Sequence, residues 1–220
     1  MTHFESELAA LKEKLLLMAS RAESAVNKSI RALVEREDDL AREVIQDDDY
    51  IDGLEKEVDE QVVLLLSKAP LAKQLRLIIS ASKIARDLER VGDEATTVAR
   101  RAIELNTEPQ LKPYVDIPRM ASMAMDMLNG SLQAFTTGDT QLAVGIIPRD
   151  KGVDDLNRQL YRELASFMIE KPTTITRCLH LMTISKAIER IADHAKNIAE
   201  DVVYLYEGRD IRHGVSPQLP

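Results

Sequence analysis

The sequence predicts an all-α fold made of two tandem, similar three-helix bundles, and three observations carry that prediction. Apolar residues recur every three or four positions over long stretches, the signature of one helix face turned toward a core. The second half of the chain repeats the first when the sequence is displaced by 102 residues. Turn formers and aromatics are scarce: eight glycines, eight prolines and 4% aromatic residues in 220 positions, against 45% hydrophobic, suit long helices better than a turn-rich sheet.

The first helix is expected from Phe4, Leu8, Leu11, Leu15, Met18, Ala22, Ala25, Ser29 and Leu33, which form one stripe. A second runs from about Asp38 to Ser67 on Val44, Ile51, Leu54, Val58, Val62 and Leu65, and Pro70 closes it because proline cannot continue the backbone ladder. The third starts near Leu71 and carries Leu75, Ile78, Ser82, Ala85, Leu88, Gly92, Ala95 and Ala99 to about Leu105. Gly92 costs about 1 kcal/mol relative to Ala in a helix, so either close packing or access to a site is expected there. Pro109, Pro113 and Pro118 then mark a connector and the start of a new helix. The expected organisation is a first bundle at 1–107, a connector at 108–116, a second bundle at 117–208 and a tail at 209–220.

The repeat is specific along its length. Pro70 meets Pro172, Ser29 meets Ser131, Ala41 meets Ala143, and Val58, Val62 and Leu66 face Leu160, Leu164 and Met168. Beyond the proline the offset falls to 100, so that Asp87 to Asp93 overlies Ala187 to Asp193. One small gap over most of both halves implies a duplicated unit.

A net charge of -8 and a pI near 5.1 oppose a nucleic-acid partner, which would need clustered Lys and Arg to neutralise phosphates. The single Cys178 cannot form an internal disulfide, and the opening residues lack the basic region and apolar run of a secretion signal, so a cytoplasmic address is expected. The fully apolar stretch Val62 to Leu66 is far below the roughly 20 residues that span a bilayer. Any membrane association is expected only through protein partners.

Each half carries two acidic pairs at i and i+4, which places both side chains on one helix face about one turn apart. They are Asp48 with Asp52 and Glu89 with Asp93, then Asp150 with Asp154 and Glu189 with Asp193. If the second and third helices of a unit fold back as an antiparallel hairpin, residues equally distant from the turn share a height. Asp52 then lies beside Glu89 and Asp48 beside Asp93, and the second hairpin pairs Asp154 with Glu189 and Asp150 with Asp193. Two unit charges 4 Å apart repel by roughly 4 kcal/mol at an effective dielectric of 20, so such clusters call for protons, cations or a metal. All-oxygen donors suit Mg, Mn, Ca or iron. A solvated helix face, with Arg86, Arg90, Lys186 and Arg190 as local ion-pair partners, is the competing reading.

His194 follows Asp193 directly, and adjacent helical residues point about 100° apart, which favours a surface or supporting histidine over a ligand. No Glu has His three positions later, as a ferritin-type di-iron site would require, and no phosphate loop, zincin motif or nucleophile elbow occurs. No enzyme is expected. Cys178 reads as a core residue, and His3, His180 and His213 are scattered. A metal-dependent carboxylate-cluster enzyme and a purely structural helical scaffold are the alternatives to a regulatory role.

At 86–93 (RDLERVGD) and 187–201 (AIERIADHAKNIAED), with the opening helix from Phe4 to Leu11, the Asp48 to Asp52 segment and the stretch from Val203 to Gly208, the chain resembles the PhoU family of phosphate-uptake regulators. The resemblance covers nearly the whole chain. It implies metal clusters on the bundle surfaces, held by Asp48, Asp52, Glu89 and Asp93 in the first unit and by Asp150, Asp154, Glu189 and Asp193 in the second. Iron is the metal it favours, with Mg, Mn, Ca or Zn as other candidates. Glu94 and Thr97 depart from the commonest family motif, whereas the second copy has His194 and Asn197, which puts metal retention at the first site in question. The resemblance further implies a cytoplasmic homodimer that links the ATPase subunit of the high-affinity phosphate ABC transporter to a sensor histidine kinase, represses the phosphate-starvation response, and sits at the inner membrane face through those partners.

Overall fold

The long apolar stripes fold as long helices. The computed structural model describes residues 3–68 and 72–212. In it the chain runs through α1 (His3–Glu35), α2 (Asp38–Leu66), α3 (Ala72–Asn106), α4 (Asp116–Thr137), α5 (Thr140–Ile146), α6 (Asp150–Glu170) and α7 (Ile175–Glu207), with short 3-10 turns at Ile147–Arg149 and Pro172–Thr174. Among the described residues there is no β-strand, and no helix is long and apolar enough to cross a membrane. Pro70, Leu71, His213 and the segment from Val215 to Pro220 lie outside the described residues.

The first bundle is α1, α2 and α3, and the second is α4, the α5–α6 pair and α7. Leu11, Leu15, Met18 and Leu33 of α1, Val58 of α2 and Leu88 of α3 are at most 1% exposed, so the stripe read from the sequence is the buried face. Ile117, Met120, Leu128, Leu160 and Ile188 repeat the arrangement in the second bundle, and the buried apolar residues of both form one continuous core.

The duplication extends to the turns. Arg36 follows α1 with φ 60°, and Gly138 follows α4 with φ 73°. In both copies the next residue donates its backbone N–H five residues back, Glu37 to the Ala32 carbonyl at 3.1 Å and Asp139 to the Ala134 carbonyl at 3.2 Å. A left-handed backbone suits glycine and costs an L side chain roughly 1 kcal/mol or more. Arg36 offsets that cost by donating from Nη2 to the carbonyls of Asn106 at 2.7 Å and Glu108 at 2.8 Å, which also ties the α1–α2 corner to the end of α3.

One element departs from the three expected helices per unit. The counterpart of the continuous α2 is broken in the second bundle into α5, a 3-10 turn and α6. Pro148 lies in that turn, where α2 has Gln46, and proline both lacks the N–H and collides with the preceding turn of a helix. The break falls just before Asp150, which becomes the first residue of α6.

The two bundles meet along α3 and α7, which run antiparallel. Lys83 pairs with Asp201 at 3.0 Å, Asp87 with His194 at 2.8 Å, Glu94 with Arg190 at 3.1 Å, Glu104 with His180 at 3.1 Å, and Glu108 with Arg177 at 3.2 Å. As the number rises on one helix it falls on the other, so one face of α3 is read against one face of α7 over most of their length.

Candidate metal centres

The antiparallel packing of α2 on α3 puts the first carboxylate set where hairpin geometry requires. Ser82 Oγ donates to Asp59 Oδ1 at 2.7 Å, an α3-to-α2 contact in the same register that sets Asp52 beside Glu89 and Asp48 beside Asp93. Gly92 makes this approach close: a Cβ there would lie 3.0 Å from Ile51 Cδ1 and 3.8 Å from Asp48 Oδ1. Close packing is therefore the reason for the glycine.

Burial pushes the Asp48 carboxyl above its ordinary value. The Thr96 hydroxyl and the charge of Arg100 oppose that shift, while the charges of Asp93 and Asp52 add to it. The Glu89 carboxyl is also raised, by burial first and by Asp93 next, with Glu55 and Asp52 contributing and Arg90 opposing. Arg90 lies on the outer edge, with Nη1 3.2 Å from Asp93 Oδ2 and Nε 3.3 Å from Glu89 Oε2. The second contact is an ion pair without hydrogen-bond alignment, so Glu89 Oε2 is buried and accepts no hydrogen bond. Asp48, Asp52, Glu89 and Asp93 thus form a crowded, half-buried anionic patch.

The second set is arranged differently. Lys196 Nζ donates to Asp150 Oδ2 at 3.0 Å and to Asp193 Oδ1 at 2.8 Å, which puts these two acids from α6 and α7 at one height, as expected. Burial by itself would lower the Lys196 ammonium, but hydrogen bonds to Asp193 and Asp150 outweigh it and hold it above the usual lysine range. Asp150 Oδ1 and Glu189 Oε2 are buried without a hydrogen bond, although Glu189 has Lys186 as an ion-pair partner. Asp154 lies one turn along α6, near enough to Arg158 to act on it through charge.

Among the described residues, no three His, Cys, Asp or Glu groups converge closely enough to hold one metal ion as the side chains stand. The donor chemistry nevertheless fits a hard cation. The donors are carboxylate oxygens, burial and then neighbouring acids raise the proton affinity of Asp48 and Glu89, and Glu89 Oε2, Asp150 Oδ1 and Glu189 Oε2 each lack a hydrogen bond.

This duplicated helical architecture recurs in known proteins. The PhoU domain matches residues 15–102 and 117–202, one match in each bundle. The chain belongs to the PhoU family.

Relatives in that family include the phosphate-specific transport system accessory protein PhoU homologs of Pseudomonas aeruginosa and Aquifex aeolicus. The first is 42% identical over 96% of this chain and 88% of its own length, the second 43% identical over 94% of each. The crystal structure of PhoU from P. aeruginosa superposes with a TM-score of 0.91 at 41% identity, covering 94% of this chain and all of that one. The phosphate transport system regulatory protein PhoU from Streptococcus pneumoniae superposes with a TM-score of 0.89 at 27% identity, over 94% and 99% of the two chains. These are names of accessory and regulatory proteins, not of enzymes.

Within this PhoU fold the difference between Glu94 and His194 belongs to the seam between bundles. His194 Nδ1 meets Asp87 Oδ1 at 2.8 Å, Asn197 donates to the same oxygen at 3.4 Å, and Glu94 accepts from Arg190. Neither residue joins its neighbouring carboxylate set. Cys178 is fully buried, as a core residue should be. Lys196 is the side chain that sequence reasoning missed. Its spacing of three from Asp193 was a usable signal, but its second partner, Asp150, is 46 residues away.

Proposed function

We propose that this chain is a cytoplasmic, metal-binding regulator of phosphate uptake. It acts as an adaptor between the ATPase subunit of the high-affinity phosphate ABC transporter and a sensor histidine kinase, and so represses the phosphate-starvation response. The observation that carries this reading is membership of the PhoU family, with relatives at 42–43% identity over nearly the whole chain that are named as accessory proteins of phosphate-specific transport. Helices that do not span a bilayer suit a protein that reaches the inner membrane face through its partners. The working form is a homodimer.

In this reading Asp48, Asp52, Glu89 and Asp93, and their counterparts Asp150, Asp154, Glu189 and Asp193, would hold metal, with iron favoured. A bound cation supplies positive charge that cancels the repulsion among the carboxylates and ties two helices of a bundle together. The chain's own contribution is to carry those carboxylates on opposed helices of a rigid core. Arg90 and Lys186 partly balance their charge.

Deleting the gene in cells grown in ample phosphate should switch on phosphate-starvation genes; unchanged repression would remove the regulatory reading. Purified protein, with and without metal, should capture the transporter ATPase and the kinase. Capture of neither under both conditions would remove the adaptor role.

A further inference from the structure

The two carboxylate sites are built from matching acids and differ in the groups around them: Thr96 and Arg100 beside the first stand where the second has Lys196 and Glu200. Position 196 on α7 corresponds to position 96 on α3, because Asp193 corresponds to Asp93. Thr96 is 3% exposed and presents only a neutral hydroxyl toward Asp48. Lys196 presents an ammonium that is hydrogen-bonded to one carboxylate from α6 and one from α7. An ammonium is a compact point charge with three donors. Placed between two acids on opposed helices, it relieves their repulsion and bridges the helices, the two things a bound cation would do there. In the first site Arg90, which pairs with Glu89 and Asp93, and Arg100, which acts on Asp48 through its charge, both lie on α3 and partly balance the acids, and neither is hydrogen-bonded to carboxylates of both helices.

We propose that Lys196 is the built-in counter-cation of the second carboxylate site, so that added divalent metal is taken up at the first site alone until that ammonium is removed. This inference rests on the metal-binding reading of the two sites. Metal entry at the second site must break the charge-assisted bonds from Lys196 to Asp150 and Asp193 and expel the ammonium. Even one such bond is worth about a tenfold change in affinity. At the first site only the exposed Arg90, at 3.2 and 3.3 Å from Asp93 and Glu89 and bound to no acid of α2, has to move aside.

The test is a titration of metal-free, full-length protein with MnCl2, followed by calorimetry for stoichiometry and electron paramagnetic resonance for bound Mn. The set comprises wild type, Lys196→Thr, which copies the first unit, and Asp48→Asn with Glu89→Gln, which disables the first site. A fourth protein combines all three substitutions. Lys196→Gln is run alongside, alone and with Asp48→Asn and Glu89→Gln, as a second neutral variant, Asp150→Asn with Asp193→Asn disables the second site, and circular dichroism checks that each protein is folded. Wild type should bind Mn in a manner abolished by Asp48→Asn with Glu89→Gln. Either neutral substitution at Lys196 should restore binding in that background, with affinity at the second site raised at least about tenfold. Wild-type Mn binding that survives Asp48→Asn with Glu89→Gln and is lost with Asp150→Asn and Asp193→Asn would overturn the inference while leaving the metal reading intact. Failure of both neutral variants to restore binding would also overturn it. An absence of Mn from every protein in the set would overturn the metal reading itself.

Discussion

The two bundles share their helices, their corner geometry and the positions of eight acids, yet they satisfy those acids in opposite ways. The first leaves Asp48 and Glu89 crowded by neighbouring carboxylates, and the second places Lys196 between Asp150 and Asp193. The seam shows the same divergence. Asp87, Glu94 and Lys83 on α3 correspond to Ala187, His194 and Thr183 on α7, and each ion pair cited between the bundles has at least one partner at which the copies differ, Arg190, the counterpart of Arg90, being the shared one. An antiparallel seam sets each position on α3 against a different position on α7, and the divergence of the copies lets one helix carry a charge whose partner the other supplies. Duplication preserved what packs, and divergence fell where the copies touch or hold charge.

The largest effects should be equal in the two copies. Leu88→Ala and its counterpart Ile188→Ala each empty a fully buried site and should cost about 2–5 kcal/mol in urea unfolding. Because the core is continuous, both variants should lower a single shared transition; two separate transitions would show that the bundles unfold independently.

Next in size is the seam. Lys83→Ala leaves Asp201, 6% exposed, without its 3.0 Å partner, and should cost about 2–3 kcal/mol by the same measurement. Thr183→Ala, at the matching position of the second copy, removes an exposed hydroxyl bonded only within its own helix, and should cost less than about 0.5 kcal/mol. Equal losses would contradict the account of the seam.

The smallest effects should differ in sign. The folded protein holds the Asp48 carboxyl above its usual value, so folding favours the protonated form, and stability is lost as pH rises from about 3.8 through the folded-state value. In metal-free protein at pH 7, Asp48→Asn should therefore raise stability, by less than about 1 kcal/mol after solvent screening. That gain should vanish below pH 3.8, where wild-type Asp48 is itself protonated. Asp150→Asn instead weakens a bond to Lys196 and should lower stability by about 1 kcal/mol, a fall in Tm of about 2–4 °C. Thermal melts of the two variants across pH measure both.

Much of this was legible in the sequence because local periodicity and an internal repeat are strong signals. The stripes of α1, α2 and α3 are the buried faces except at Leu75, which is 39% exposed, and at the partly buried Phe4 and Ser82, and equal distance from the hairpin turn correctly placed Asp48 beside Asp93 and Asp150 beside Asp193. Contacts between distant segments were not legible. His194 lies 107 residues from Asp87, and only the docking of α7 on α3 assigns it to the seam. Pro148 is a visible helix breaker, but the repeat suggested a continuous second helix, and the local chemistry of proline prevailed.

Metal content is the most direct test of the central claim that these carboxylates form a metal site. Protein purified from cells should carry bound metal by inductively coupled plasma mass spectrometry, and Glu89→Ala with Asp93→Ala should lose it while circular dichroism stays unchanged. Metal content unaffected by that double substitution, or absent from wild type after loading with iron or Mn, would contradict it.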